Sequence, residues 1–278
     1  MLGQGRASRQ GAAMSSSFLI TGASSGIGRA VADRLLRKGY RLHLASRRAP
    51  LVTEGAAWVP MDVDQDASVA AAMAAIGPVD GVVCCAGFAV FGSVEEVPIE
   101  RAKAQFETNL FGSLRVVRAA LPVFRRAGRG RIVLVGSLAG RAPIPFQAHY
   151  SASKAAIEAI AQSLYNEVAP FGVHVSLVEP GDIRTAFNDN TDWAALANSD
   201  YGHLASTAAA TIRRTLLAAP GPELVAAAIE HALTAHRPRF RYSMGPGSRV
   251  VGLARRLLPD AVCLRLLRRH FLRPRATR

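Results

Sequence analysis

Cysteine is scarce in this chain of 278 residues: Cys84, Cys85 and Cys263 are all it has. Three thiols do not make a disulfide framework, and the adjacent Cys84 and Cys85 sit in an apolar run, as buried thiols of a reducing cytoplasm do. No CxxC pair and no Cys/His cluster at ligand spacing occurs, so no structural metal is expected. Long apolar runs are missing as well. Nothing approaches the about 18 residues of a spanning helix. Residues 1–14, MLGQGRASRQGAAM, lack the apolar core of a signal peptide and read as a disordered extension, with Met14 a candidate start because a strand follows at once. Acidic residues are few, 20 against 34 Lys and Arg, for a net charge of +14. The excess belongs to the ends: residues 249–278 hold nine Arg and one Asp (+8), and 1–14 add Arg6 and Arg9 (+2), which leaves +4 for the body 15–248. A nucleic-acid partner is therefore not expected of the body.

What remains is a chain half hydrophobic in composition, enough for one substantial core. Short β-branched or apolar runs at Ser17–Thr21, Tyr40–Ser46, Ala56–Met61, Val79–Cys85, Ile132–Val135, Val173–Glu179 and Phe240–Met244 read as seven strands. Helical spacing falls between them: Arg29–Lys38, Asp66–Ile76, a long region from Pro98 through Asn109 to Leu121, Tyr150 to about Ala169, and Pro222–Ala235. Alternation at this spacing implies a parallel sheet covered on both faces, in a single domain. From Phe187 to Leu217 the pattern loosens into polar and alanine-rich sequence, the expected place of a mobile substrate lid.

Chemistry concentrates at strand ends. Gly22-Ala23-Ser24-Ser25-Gly26-Ile27-Gly28 joins the first strand to the first helix, and glycines there let a backbone approach a pyrophosphate beside a helix N-terminus. The second strand ends in Ser46-Arg47-Arg48. Where dinucleotide folds hold ribose hydroxyls with a carboxylate, this chain offers two guanidinium groups suited to a 2′-phosphate, which favours NADP(H) over NAD(H). Ser137 follows the Ile132–Val135 strand at the edge where ligands bind. Tyr150 and Lys154, four apart on a helix, point the same way, and an ammonium beside a phenol favours its ionised form. Asn109 is a polar amide on an apolar helix, which needs a specific partner if buried.

In order and spacing, these residues resemble the short-chain dehydrogenase/reductase family over roughly 15–245, in its NADP-preferring, hydroxysteroid dehydrogenase-like branch. The resemblance implies a Rossmann-type, doubly wound parallel sheet. It also implies a catalytic tetrad of Asn109, Ser137, Tyr150 and Lys154, with Tyr150 as general acid/base, Ser137 holding the substrate oxygen, Lys154 binding the nicotinamide ribose and Asn109 holding a water that connects Lys154 to solvent. Cofactor contacts carry over to the Thr21–Gly28 turn, Asp62-Val63, Ala86-Gly87, Pro180-Gly181, Ile183 and Thr185. One departure stands out. The family places Asn where this chain has Cys84-Cys85, so an amide that bonds across the sheet is absent.

The reaction this implies is hydride transfer between NADP(H) and a hydrophobic ketone, aldehyde or secondary alcohol, steroid-like or long-chain. Phe88, Leu138, Ala139, Phe146 and His149 are the expected pocket lining. A catalytically silent NADP(H)-binding protein and a membrane-peripheral lipid dehydrogenase are the alternatives. The face Ala155–Leu164 suggests a homodimer or homotetramer, as the corresponding helix forms in relatives. Residues 249–272 interleave leucines with arginines and break at Pro259 into two short amphipathic helices. Three readings stay open for them: packing over the pocket or a partner subunit, lying on an anionic membrane, or, least favoured for want of aromatics, binding nucleic acid.

Overall fold

The computed structural model describes residues 16–49, 55–185, 187, 191 and 200–273; the extension 1–14 and much of 187–201 lie outside these. Among the described residues seven strands form one sheet: β1 (Ser17–Thr21), β2 (Arg41–Ser46), β3 (Ala56–Pro60), β4 (Gly81–Cys84), β5 (Gly130–Val135), β6 (Val173–Pro180) and β7 (Arg241–Met244). Their order is β3-β2-β1-β4-β5-β6-β7, and every neighbouring pair is parallel. The chain winds outward from β1 in one direction, then returns to β4 and winds outward in the other. That reversal opens a crevice above the carboxyl ends of β1 and β4.

Strand residues alternate between two cores. Leu19, Val82, Ile132, Leu134 and Leu177 belong to one, under α2 (Asp66–Ile76), α4 (Ser113–Ala127) and α5 (Ala148–Val168). Ile20, Leu44, Val83, Val133 and Val178 belong to the other, under α1 (Gly26–Leu36) and α7 (Glu223–Thr234). With side chains alternating faces along each strand, such runs must be apolar at every position, which is why they show no polar–apolar rhythm.

Two elements differ from the sequence expectation. The long helical region is not continuous: α3 (Ile99–Phe106) passes through a π-helical turn, Glu107–Gly112, into α4. A π turn inserts one residue and re-aims its neighbours, and Asn109 lies inside it. Residues 202–217, read as loose sequence, form a regular helix, α6 (Gly202–Leu217). Its small residues Ala205, Ala208 and Ala209 are buried with Ile212 against Phe91 and Phe146. An alanine stripe has little hydrophobic contrast, yet it lets a helix approach closely. Beyond β7, α8 (Ser248–Leu257) and α9 (Asp260–Leu272) flank Pro259, and α9 packs on α6. Among the described residues no helix is long and apolar enough to cross a membrane.

Candidate active site

A cleft of about 1170 Å³ runs along the carboxyl edge of the sheet. At one end lies the β1–α1 turn. Gly22 has φ +63°, and a Cβ there would sit 2.9 Å from the Ala86 backbone, so only glycine fits where the turn crosses the end of β4. Ser24, Ser25, Gly26, Ile27 and Gly28 all border the cleft. Ser25 precedes α1 in extended conformation with no side-chain cap, which leaves the first-turn N–H groups facing an anion site. The turn therefore fits a pyrophosphate.

Ser46, Arg47 and Arg48 border the same end. The Ser46 hydroxyl donates to the Arg48 carbonyl at 2.6 Å, which folds the strand end over, and both arginines are exposed. Asp62 and Val63 follow β3. An Asp62 carboxylate oxygen accepts from the Asp64 N–H at 3.1 Å, and the Asp62 N–H donates to Ser68 at 2.9 Å. Asp64, which sequence reasoning missed, also lines the cleft. One of its oxygens accepts from the Thr108 hydroxyl at 3.0 Å, and the other is buried without a protein partner. Burial pushes its carboxyl above the ordinary range, against the opposing pull of Thr108 and Arg47.

The absent asparagine has a substitute that sequence reasoning also missed. The Thr21 hydroxyl accepts the N–H groups of Cys85 (3.1 Å) and Ala86 (3.3 Å) and donates to the Val83 carbonyl at 3.4 Å. The cross-sheet bond is thus made from β1 to the end of β4. The Cys84 thiol faces the core near the Ser113 carbonyl, and Cys85 borders the cleft. Burial pushes both thiols up, Cys85 to about 12, so neither is a nucleophile near neutral pH.

Ala86, Gly87 and Phe88 continue the wall. Asn109 lies just behind it, buried. Its amide nitrogen donates to the Phe88 carbonyl and the Ser153 hydroxyl, each at 3.0 Å, and its oxygen accepts the Phe88 N–H at 2.9 Å. The Asn109 main-chain carbonyl accepts the Ser113 hydroxyl at 3.0 Å, so the water expected at Asn109 would share that carbonyl or meet the second lone pair of the amide oxygen.

Ser137 caps a short turn after β5, its oxygen accepting the Ala139 N–H at 3.1 Å. Its own proton is free to donate to Tyr150. Tyr150 and Lys154 project together from the first turns of α5. The ammonium donates to the Val135 carbonyl at 2.8 Å and stands 5.8 Å from the centre of the phenol ring. Burial pushes the amine down to about 8. The sequence expectation of an easily ionised phenol does not survive this environment: burial raises Tyr150, and the Ser137 hydrogen bond only partly opposes it. A protonated phenol is an acid ready to donate. Pro180, Gly181, Ile183 and Thr185 close the cleft beyond β6, with the Gly181 N–H tied to the Met244 carbonyl at 2.8 Å.

Of the expected pocket residues, Phe88, Leu138 and Ala139 line the cleft, but Phe146 and His149 do not. Phe146 has φ +65°, and its ring stacks on Phe91 at 5.8 Å instead. His149 adjoins Tyr150 in sequence, and consecutive helix positions point about 100° apart. Further lining comes from Phe187, α6 and the C-terminal helices, including Val251, Ala254, Leu267 and Phe271. Of the three readings of the basic segment, packing over the pocket describes this inner face.

Known proteins agree with this geometry. The family model described as short chain dehydrogenase matches residues 17–194. A 3-ketodihydrosphingosine reductase of Bacteroides thetaiotaomicron is 34% identical over 250 residues, covering 87% of this chain and 93% of that protein. Human 17-beta-hydroxysteroid dehydrogenase type 1 is 34% identical over 254 residues, 81% of this chain and 76% of that protein. Among solved structures, a short-chain dehydrogenase from Streptomyces avermitilis superposes with a TM-score of 0.75 at 31% identity, covering 92% of this chain and 96% of that one. One from Burkholderia cenocepacia in complex with NADP gives 0.74 at 25%, covering 91% and 98%. Matched by the family model over more than half its length and by these relatives over most of it, the chain belongs to the short-chain dehydrogenase family, oxidoreductases of small carbonyl and alcohol substrates.

Proposed function

We propose that this chain is an NADP(H)-dependent oxidoreductase that interconverts a hydrophobic ketone or aldehyde with its alcohol, Tyr150 serving as the general acid/base. The observation that carries the reading is the convergence of Ser137, Tyr150 and Lys154 on one wall of the cleft whose far end is the β1–α1 turn. The bound nicotinamide would supply or accept the hydride. Ser137, its oxygen already engaged by the Ala139 N–H, donates to the carbonyl oxygen and holds it by the phenol. Tyr150 gives that oxygen a proton in reduction and takes one from the alcohol in oxidation. Lys154 would meet the nicotinamide ribose and supports the phenolate left by proton transfer, while Asn109 fixes the Phe88 segment and would share its main-chain carbonyl between the Ser113 hydroxyl and a water beside the lysine.

Arg47 and Arg48 favour the 2′-phosphate of NADP(H). Residues 15–248 make up the catalytic domain, and the two helices of 248–272 cover its substrate side. The walls at that side are largely apolar, with Leu138, Ala139, Phe187, Ile212, Val251 and Phe271 outnumbering the polar Gln147, Thr215, Arg255 and His270. The names of the ketosphingolipid and hydroxysteroid relatives point the same way. Replacing Tyr150→Phe tests the assignment. NADPH-dependent turnover of a hydrophobic carbonyl panel should fall at least about a thousandfold, within what a positioned general acid contributes, while NADPH affinity is held. Retained turnover refutes the role.

A further inference from the structure

The inner faces of α8 and α9 wall the cleft, but their outer faces are not the surface of an ordinary soluble domain. On α8, Val250, Leu253 and Leu257 form one stripe at helical spacing and are 71%, 59% and 65% exposed. On one side of that stripe lie Val251 and Ala254, which line the cleft; on the other lie Arg249 and Arg256, both exposed. Leu258 and Leu264 extend the exposed apolar area. Val250 and Leu266 belong to both surfaces, since they line the cleft and are exposed, so the cleft opens at this face. Apolar lining, mouth and outer leucines are therefore continuous, and exposed arginines flank them on the side away from the cleft.

That charge is of one sign. Between Ser248 and Arg273 seven arginines are exposed, against the single carboxylate Asp260, which pairs with Arg255 at 2.7 Å. A patch of leucines flanked by arginines matches a surface that is apolar at depth and anionic at its headgroups, namely a bilayer bearing acidic lipids. Arginine stems cover apolar surface while their heads reach the phosphates. A nucleic acid would leave the leucines unused, and His270 is the one exposed aromatic ring between Ser248 and Arg273.

We propose that the outer face of α8 and α9 docks on an anionic lipid surface with the mouth of the cleft held against it. The helices lie in the interface, and a carbonyl dissolved among the lipid chains enters past Val250 and Leu266 without crossing water. The entry step rests on the hydrophobic-carbonyl reading of the site, whereas the docking does not.

The test uses the full chain with sedimenting vesicles of phosphatidylcholine, with and without phosphatidylglycerol. Partition should be at least about tenfold stronger onto the acidic vesicles, and added salt should weaken it. The double variant Leu253→Glu with Leu257→Glu changes only exposed side chains outside the cleft lining. It should lose vesicle binding and turnover of a vesicle-borne long-chain ketone, yet keep turnover of a water-soluble carbonyl. Arg256→Gln with Arg268→Gln should weaken binding without loss of folding. Equal binding to neutral and acidic vesicles overturns the proposal. So does a double variant that binds like the wild type, or a concentration-dependent dimer that this variant abolishes, which would make the face an interface between copies. Vesicle binding without turnover of any carbonyl upholds the docking and refutes the reading of the site; soluble turnover without vesicle binding does the reverse.

Discussion

Lys154 is a charge the fold holds at a cost, and replacing it should make the protein more stable while silencing it. The amine is buried, and burial lowers its pKa from 10.5 to about 8. At about 1.4 kcal/mol per unit, keeping it protonated near neutral pH costs the folded state about 3 kcal/mol. Lys154→Met removes the charge with a side chain of similar length and no unmet donors. It also removes the bond to the Val135 carbonyl, worth about 1 kcal/mol. The variant should therefore exceed the wild type by about 2 kcal/mol near neutral pH, read as a higher urea midpoint at unchanged slope.

The pH dependence fixes the cause. Below about 8 the folded and unfolded chains both carry the charge, and the penalty is complete. Between about 8 and 10.5 the folded amine is neutral while the unfolded one still binds a proton, so the penalty shrinks, and above that window it is gone. The wild type should gain on the variant across this range. A gap that does not change through it, or a wild type already the more stable near neutral pH, refutes the reasoning.

Thr21, the Arg47–Arg48 pair and Gly87 each give a further outcome. Thr21→Val keeps the shape but strips the acceptor from the Cys85 and Ala86 N–H groups, so the urea midpoint should fall by the equivalent of about 1–3 kcal/mol. Arg47→Glu with Arg48→Glu sets carboxylates where the 2′-phosphate is proposed to lie; the ratio of kcat/KM for NADPH over NADH should drop at least about a hundredfold, since charge-assisted guanidinium–phosphate bonds are replaced by repulsion. At Gly87 an added Cβ would lie 2.9 Å from the Asn109 amide oxygen and 3.8 Å from the Lys154 ammonium. Gly87→Ala should therefore cut kcat at least about tenfold, as displacement of a positioned group does, and a single-turnover assay will separate this from cofactor binding.

The parts of this molecule legible from sequence are those decided by near neighbours. An apolar run before a glycine cluster announces β1 and its turn, and a spacing of four puts Tyr150 and Lys154 on one face, as found. What could not be read depends on residues far apart. The sequence shows cysteines where an amide is expected. It does not show that the Thr21 hydroxyl, 64 residues away from Cys85, takes over the cross-sheet bond. Asn109 reads as one more helical position, because the π turn that re-aims it is held by tertiary bonds to Phe88 and Ser153. Phe146 reads as pocket lining only from its closeness to Tyr150 in the chain. Its left-handed backbone, uncommon for a residue with a Cβ, turns the ring onto Phe91 and toward Tyr201, and aromatic packing offsets the strain. The same distinction explains the C-terminal segment. Its amphipathic spacing is local and visible, but which stripe meets the cleft and which is left outside depends on α6, whose alanines carry almost no signal of their own. Local spacing specifies that a helix has a face; only the packing partner decides what that face is for.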